Sequence, residues 1–202
     1  MTTALLQTTY FGPVQWYQKL FRYYHCLIEQ YDSFQKQTYR NRCVIATANG
    51  VQALTVPVEH SDEKMLTKDL RISDHNQWRR VHWNALQSAY SESPFFDYYA
   101  DDLRPFFEQK FAFLVDFNES IRQKICELID IQPSVCYTSD FTHQTSDIVD
   151  YRDIIHAKHP QPDPDFAPKA YWQVFQHKHG FLPNLSILDL LFCMGPESVF
   201  YL

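Results

Sequence analysis

"TALLQTTYFGPVQWYQKLFRYYHCLIEQYD", residues 3–32, decides the fold. An apolar run reaches Tyr10, the turn Phe11-Gly12-Pro13 follows, a helix-like stretch occupies residues 14–24, and a second apolar run begins at His25. Pro13 suits the first turn of a helix and Gly12 frees the chain entering it. Two short strands joined through a helix make a parallel βαβ unit, so the chain reads as α/β. Such a unit sets a helix N-terminus beside the end of strand one, where unpaired N–H groups favour an anion. A single glycine there matches neither the G-x-G-x-x-G fingerprint nor a Walker loop.

Outward from that unit, "FQKQTYRNRCVIATANGVQALTVPV", residues 34–58, reads as a hairpin. Asn49-Gly50 fits the two central positions of a type I′ turn, which sets Ala48 against Val51, Ile45 against Leu54 and Val44 against Thr55. The hairpin is expected to join strand one in a mostly buried sheet. Ahead of it, Lys36, Arg40 and Arg42 stand among Gln35, Gln37 and Asn41. A hairpin needs no such crowd, and planar guanidinium forks with amides match the oxygens of phosphate or carboxylate. The competing reading is a solvated turn.

Further along, Trp78, Val81, Ala85 and Ala89 recur at helical spacing, and Phe107, Phe111, Leu114, Phe117, Ile121, Ile125 and Leu128 predict one longer helix. "PSVCYTSDF" suits another strand, and the proline-rich "HAKHPQPDPDFAPKAYW" a semi-rigid surface loop. Ser186 and Asp189 form a capping pattern ahead of the apolar run that Gly195 and Pro196 close, which explains them without a Ser-His-Asp triad. His177-x-His179 on a strand would put two imidazoles on one side of a metal, but no third ligand follows at a telling interval, so no metal and no cofactor is assigned.

The 202 residues suit one globular domain, 1–202, and 45% hydrophobic with 16% aromatic content supplies a sizeable core. A formal charge of −6 excludes the broad basic field that nucleic acids or membrane surfaces require. No long apolar run suggests a membrane span, and five scattered cysteines suggest free thiols, so a cytoplasmic location is expected. Cys43 lies closest to positive charge.

The order "YFGPVQWYQKL", "FQKQTYRNR", "TVPV", Trp78 before "HW", "YWQVF" and "GFLPNLSILDLLFCMG" resembles the WbqC-like protein family of bacteria, end to end. Many members carry H-Q-P ahead of Y-F-P where this chain has "QTTYFGP", so no role for that histidine transfers. The resemblance implies surface-polysaccharide, or O-antigen, synthesis, and with the basic cluster it suggests a transferase for a nucleotide-linked or otherwise activated sugar. The expected partner is thus a small anion such as a nucleotide sugar or sugar phosphate. Gln35, Lys36, Arg40 and Arg42 would orient its phosphates, and Asn41, Tyr10 and Gln173 would hydrogen-bond the remainder. No catalytic residue is assigned. The alternatives are a non-catalytic binding or assembly protein associating with other enzymes of the pathway, and an acyl or aminoacyl transferase.

Overall fold

The computed structural model describes residues 2–59, 65–143 and 145–202. Strand β1 (Thr3–Gln7) is followed by α1 (Val14–Arg22) and β2 (His25–Glu29), the expected βαβ start. The hairpin β3 (Arg42–Thr47) and β4 (Gly50–Thr55) comes next. Four helices then follow: α2 (Trp78–Tyr90), α3 (Phe96–Leu103), α4 (Pro105–Glu108) and α5 (Leu114–Leu128). Short strands β5 (Val135–Tyr137) and β6 (Ile148–Asp150), a single helical turn α6 (Gln176–His179) and α7 (Ile187–Met194) complete the order. The fold is α/β, with helices packed in the middle and at the C-terminal end.

The main sheet runs β5-β2-β1-β6 with every pairing parallel. Its inner strand β1 is buried from Ala4 to Gln7, as a strand covered on both faces must be. The chain leaves β1 toward β2 on one side, and β6 is added on the other. That makes the gap beyond β1 and β6 a topological switch point, the place where open α/β sheets leave room for ligands at the carboxyl ends of their strands.

The hairpin stands apart from this sheet as a two-stranded sheet of its own. Its β4 faces outward, with only Leu54 buried, and beside β3 the Val44 carbonyl accepts from the Ser186 N–H at 2.8 Å. The register also differs from expectation: Thr47 pairs Gly50, Ala46 pairs Val51 and Cys43 pairs Leu54. Ala48 and Asn49 form the turn, and the left-handed φ of +108° falls on Gly50 alone. The Thr47 hydroxyl donates to the Gly50 carbonyl at 2.9 Å and accepts from the Asn49 N–H, which favours the turn one residue earlier.

Two helical expectations need correction. The run from Phe107 to Leu128 is broken, because the chain turns extended at Gln109 and the segment before α5 pairs with residues 70–72, through Ile72 N–H to the Ala112 carbonyl and Leu114 N–H to the Leu70 carbonyl. On α2 the buried stripe is Trp78, His82, Leu86 and Ala89, while Val81 faces solvent. His177 and His179 lie on the helical turn α6, not a strand, and His179 Nε2 meets the Thr47 carbonyl at 3.0 Å.

The C-terminal region is the keystone of the core. Helix α7 is buried from Ile187 to Cys193. Ser186 caps it, accepting from the Leu188 N–H and donating to the Phe11 carbonyl at 2.7 Å. Gly195 closes it at φ +55°, where an added Cβ would lie 2.6 Å from the Phe95 ring. The same region also occupies the N-terminus of α1: Val14 N–H donates to the Leu185 carbonyl and Gln15 N–H to Asn184 Oδ1. The N–H groups that the βαβ geometry offers to an anion are thus spent within the fold. The proline-rich loop is held on α1, where Asp163 pairs with buried Lys19 at 2.7 Å and accepts from Gln15 Nε2 at 2.8 Å.

Candidate functional site

Strands β1, β2, β5 and β6 deliver polar side chains to one end of the sheet. Buried Glu29 closes β2; its Oε1 accepts from the Gln30 and Tyr31 N–H groups and the Thr138 hydroxyl, and its Oε2 from the Thr142 N–H and Arg152 Nη1. Arg152, just past β6, also forks onto Asp150, with Nη2 at 2.6 Å. Asp32 pairs with Arg40 and accepts from the Thr67 hydroxyl. Asn118 of α5 ties this group to β1, donating to Thr8 Oγ1 at 3.1 Å and to the Arg40 carbonyl at 2.8 Å.

Several buried polar atoms here have no protein partner: Gln7 Oε1, Thr9 Oγ1, Arg40 Nε and Asn118 Oδ1. Their residues are all 3% exposed or less. Buried polar atoms are nearly always paired, so a set of orphans at one end of a sheet makes that end the candidate site. The backbone packs closely here: an added Cβ on Gly12 would lie 2.4 Å from Thr9 Oγ1, and Phe11 holds a left-handed φ of +41°.

His156 completes the group. Its Nδ1 accepts from the N–H groups of Lys158 and His159, both at 3.0 Å, which places the proton of the neutral ring on Nε2. Burial holds its pKa below the ordinary value, with the nearby His159 and Arg40 charges adding to the effect. At neutral pH it therefore offers an N–H donor. The carboxylates are already engaged as acceptors, so the arrangement is built for hydrogen bonding and charge stabilisation, with no side chain displayed as an isolated base.

The residues singled out from the sequence divide. Arg40 and Asn41 are buried at the site, Asn41 donating to the Val56 carbonyl at 2.8 Å and keeping Oδ1 without a protein partner. Tyr10 adjoins them, its N–H donating to the Tyr39 carbonyl, but its phenol is committed to His82. Gln35 and Lys36 lie exposed, and Arg42 reaches along the hairpin to Thr55 Oγ1 at 3.1 Å. Gln173 is elsewhere, bonded to Asp189 and Leu182. Gln7, Thr9, Glu29, Asp32 and Asn118 were not picked out, although polar residues closing apolar strands, as in "ALLQTT" and "CLIEQYD", were a usable signal. Cys43 is buried, and that burial raises its thiol pKa well above the ordinary value, so it is not an activated nucleophile.

The WbqC-like protein family matches residues 7–160, from the end of β1 through His156. The chain belongs to the WbqC-like protein family. The match takes in every residue of the strand-end cluster and leaves Gln173 outside. The uncharacterized protein Rv1507c of Mycobacterium tuberculosis (strain ATCC 25618 / H37Rv) is similar, 28% identical over 197 residues and 85% of each chain. No solved structure matches. Among the described residues, no helix of this WbqC-like protein is long and apolar enough to cross a membrane.

The Tyr10–His82 contact beneath the site predicts a pH response. The two groups meet at 2.9 Å, and burial lowers the imidazole pKa from 6.5 to about 4. A base with a depressed folded pKa gives up stability as the pH falls from the unfolded value through the folded one. Stability should drop by about 3 kcal/mol from this group between pH 6.5 and 4. Urea melts of wild type and His82→Gln across that window check it, and the variant should show a flatter profile.

Proposed function

We propose that the chain is a transferase acting on a nucleotide-linked or otherwise activated sugar in bacterial surface-polysaccharide synthesis, on the cytoplasmic side of the membrane. The observation that carries this reading is the orphaned set at the strand ends, four oxygens and one N–H once Asn41 Oδ1 is included. That mixture complements a ligand rich in hydroxyls, which both donate and accept. Arg40, Arg152 and the His156 N–H would stabilise charge developing on a leaving phosphate, with Gln35, Lys36 and Arg42 as an outer rim; transfer of this kind depends chiefly on positioning and electrostatics. A second reading, a protein that binds the same sugar without converting it, draws support from the carboxylates: Glu29 already accepts five hydrogen bonds.

Thr9→Val tests the site without disturbing the fold. The hydroxyl has no protein partner, so an isosteric apolar replacement should leave stability equal or higher, while affinity for the sugar ligand falls about tenfold. Thermal-shift titration with nucleotide sugars, sugar phosphates and coenzyme A supplies the readout. A shift with coenzyme A alone would point to acyl transfer, and unchanged affinity in Thr9→Val would remove the orphaned set from the ligand site. Turnover of a bound nucleotide sugar separates the enzyme from the binding protein.

A further inference from the structure

A cavity opens on the side of α2 opposite the strand-end site. It has a volume of about 380 Å³ and is lined by Arg80, Trp83, Asn84 and Gln87 of α2, with Arg104, Phe107 and Glu108 from α4 and the residue preceding it. The four α2 residues are spaced i, i+3, i+4 and i+7, which places them on one helical face. The buried stripe of Trp78, His82, Leu86 and Ala89 lies across the helix from them. The cavity is therefore separate from the strand-end site, which His82 underlies.

Its chemistry is specific. Trp83 forms a flat apolar wall, braced by Phe96 and Phe107 at ring-centroid distances of 5.9 and 5.4 Å. The Arg104 guanidinium stands 6.0 Å from the indole centroid, and its Nε donates to Glu108 at 2.7 Å, leaving the outer nitrogens exposed. Arg80 adds a second exposed cation that makes no ion pair among the described residues. Asn84 and Gln87 add amide donors and acceptors to the lining. An aromatic face, amide edges and two guanidinium groups suit a planar heteroaromatic ring joined to a phosphate. Core packing alone would explain the indole, but not the open volume in front of it with this set of polar groups.

We propose that the cavity between α2 and α4 binds a nucleoside phosphate. This inference is independent of the reaction proposed above. Calorimetric titration with ADP, paired with quenching of tryptophan fluorescence, tests it on the full chain. ADP should bind saturably, with adenosine and inorganic pyrophosphate each weaker by about tenfold or more, because each carries only half of the recognised groups. Arg80→Gln and Arg104→Gln are surface changes that should leave the melting temperature unaltered and weaken ADP by about tenfold each. Thr9→Val should leave ADP binding intact. No saturable binding at millimolar ADP, pyrophosphate binding as tightly as ADP, indifference to both arginine substitutions, or loss of ADP in Thr9→Val would each overturn the assignment.

Discussion

Asp189→Ala should destabilise the protein by about 3–5 kcal/mol, measured as the change in urea-extrapolated stability at neutral pH. Asp189 is fully buried on α7 and accepts from the Tyr90 hydroxyl at 2.8 Å, the Tyr171 hydroxyl at 2.7 Å and Gln173 Nε2 at 2.9 Å. Truncation strands three donors in a site water cannot easily reach, and opens a small void in the most buried helix. It also loosens the hairpin, since the Tyr90 hydroxyl accepts from the Ala46 N–H. Burial raises the Asp189 pKa, and the three hydrogen bonds only partly offset it. For an acid whose folded pKa is raised, stability is fully present below the unfolded value of 3.8 and is lost as pH climbs through the folded one. Asp189→Asn should therefore cost less than Ala, and its deficit relative to wild type should shrink as pH rises above 3.8. A deficit that grows over that range would contradict the assignment of the charge to a buried, partly compensated carboxylate.

Arg40→Ala should be comparably damaging, at about 3–5 kcal/mol, because Asp32 would be left as a buried charge with only Thr67 to satisfy its side chain. Arg42→Ala, two residues along, should change stability by no more than about 0.5 kcal/mol, since its guanidinium is committed only to an exposed threonine. Paired urea melts of the two variants make the comparison. Equal, small effects would mean the Arg40–Asp32 pair is dispensable. The double replacement Arg40→Met with Asp32→Leu should recover much of the loss, because an apolar pair of similar volume removes both desolvation penalties at once.

The same contrast shows how much of the site was legible. Charge density picked out residues 35–42, and Arg40 and Asn41 do lie at the strand ends. Composition had no means of separating Arg40, neutralised inside the protein, from Lys36, exposed to solvent, because that difference depends on where Asp32 ends up. Gln173 looked equally available for a ligand until α7 placed Asp189 beside it. The tautomer of His156 is set by the backbone N–H groups of Lys158 and His159, a loop geometry that residue types alone do not specify.

The fold divides along similar lines. Residues 3–32 by themselves determined the parallel βαβ start, because turn chemistry and short-range hydrophobic spacing act within a few residues of each other. The cap at Ser186 and the stop at Gly195 were likewise local. Only the tertiary structure decided that the hairpin leaves the main sheet, that residues 112–114 pair with residues 70–72 in place of continuing a helix, and that three residues at 148–150 form a strand beside β1. In each case the backbone groups are satisfied by partners tens of residues away, and a sequence pattern carries no information about which distant donor or acceptor arrives. The switch point has the same origin: Gln7, Glu29 and Arg152 become neighbours through strand order, Asn118 joins them through the packing of α5, and both are properties of the packed sheet.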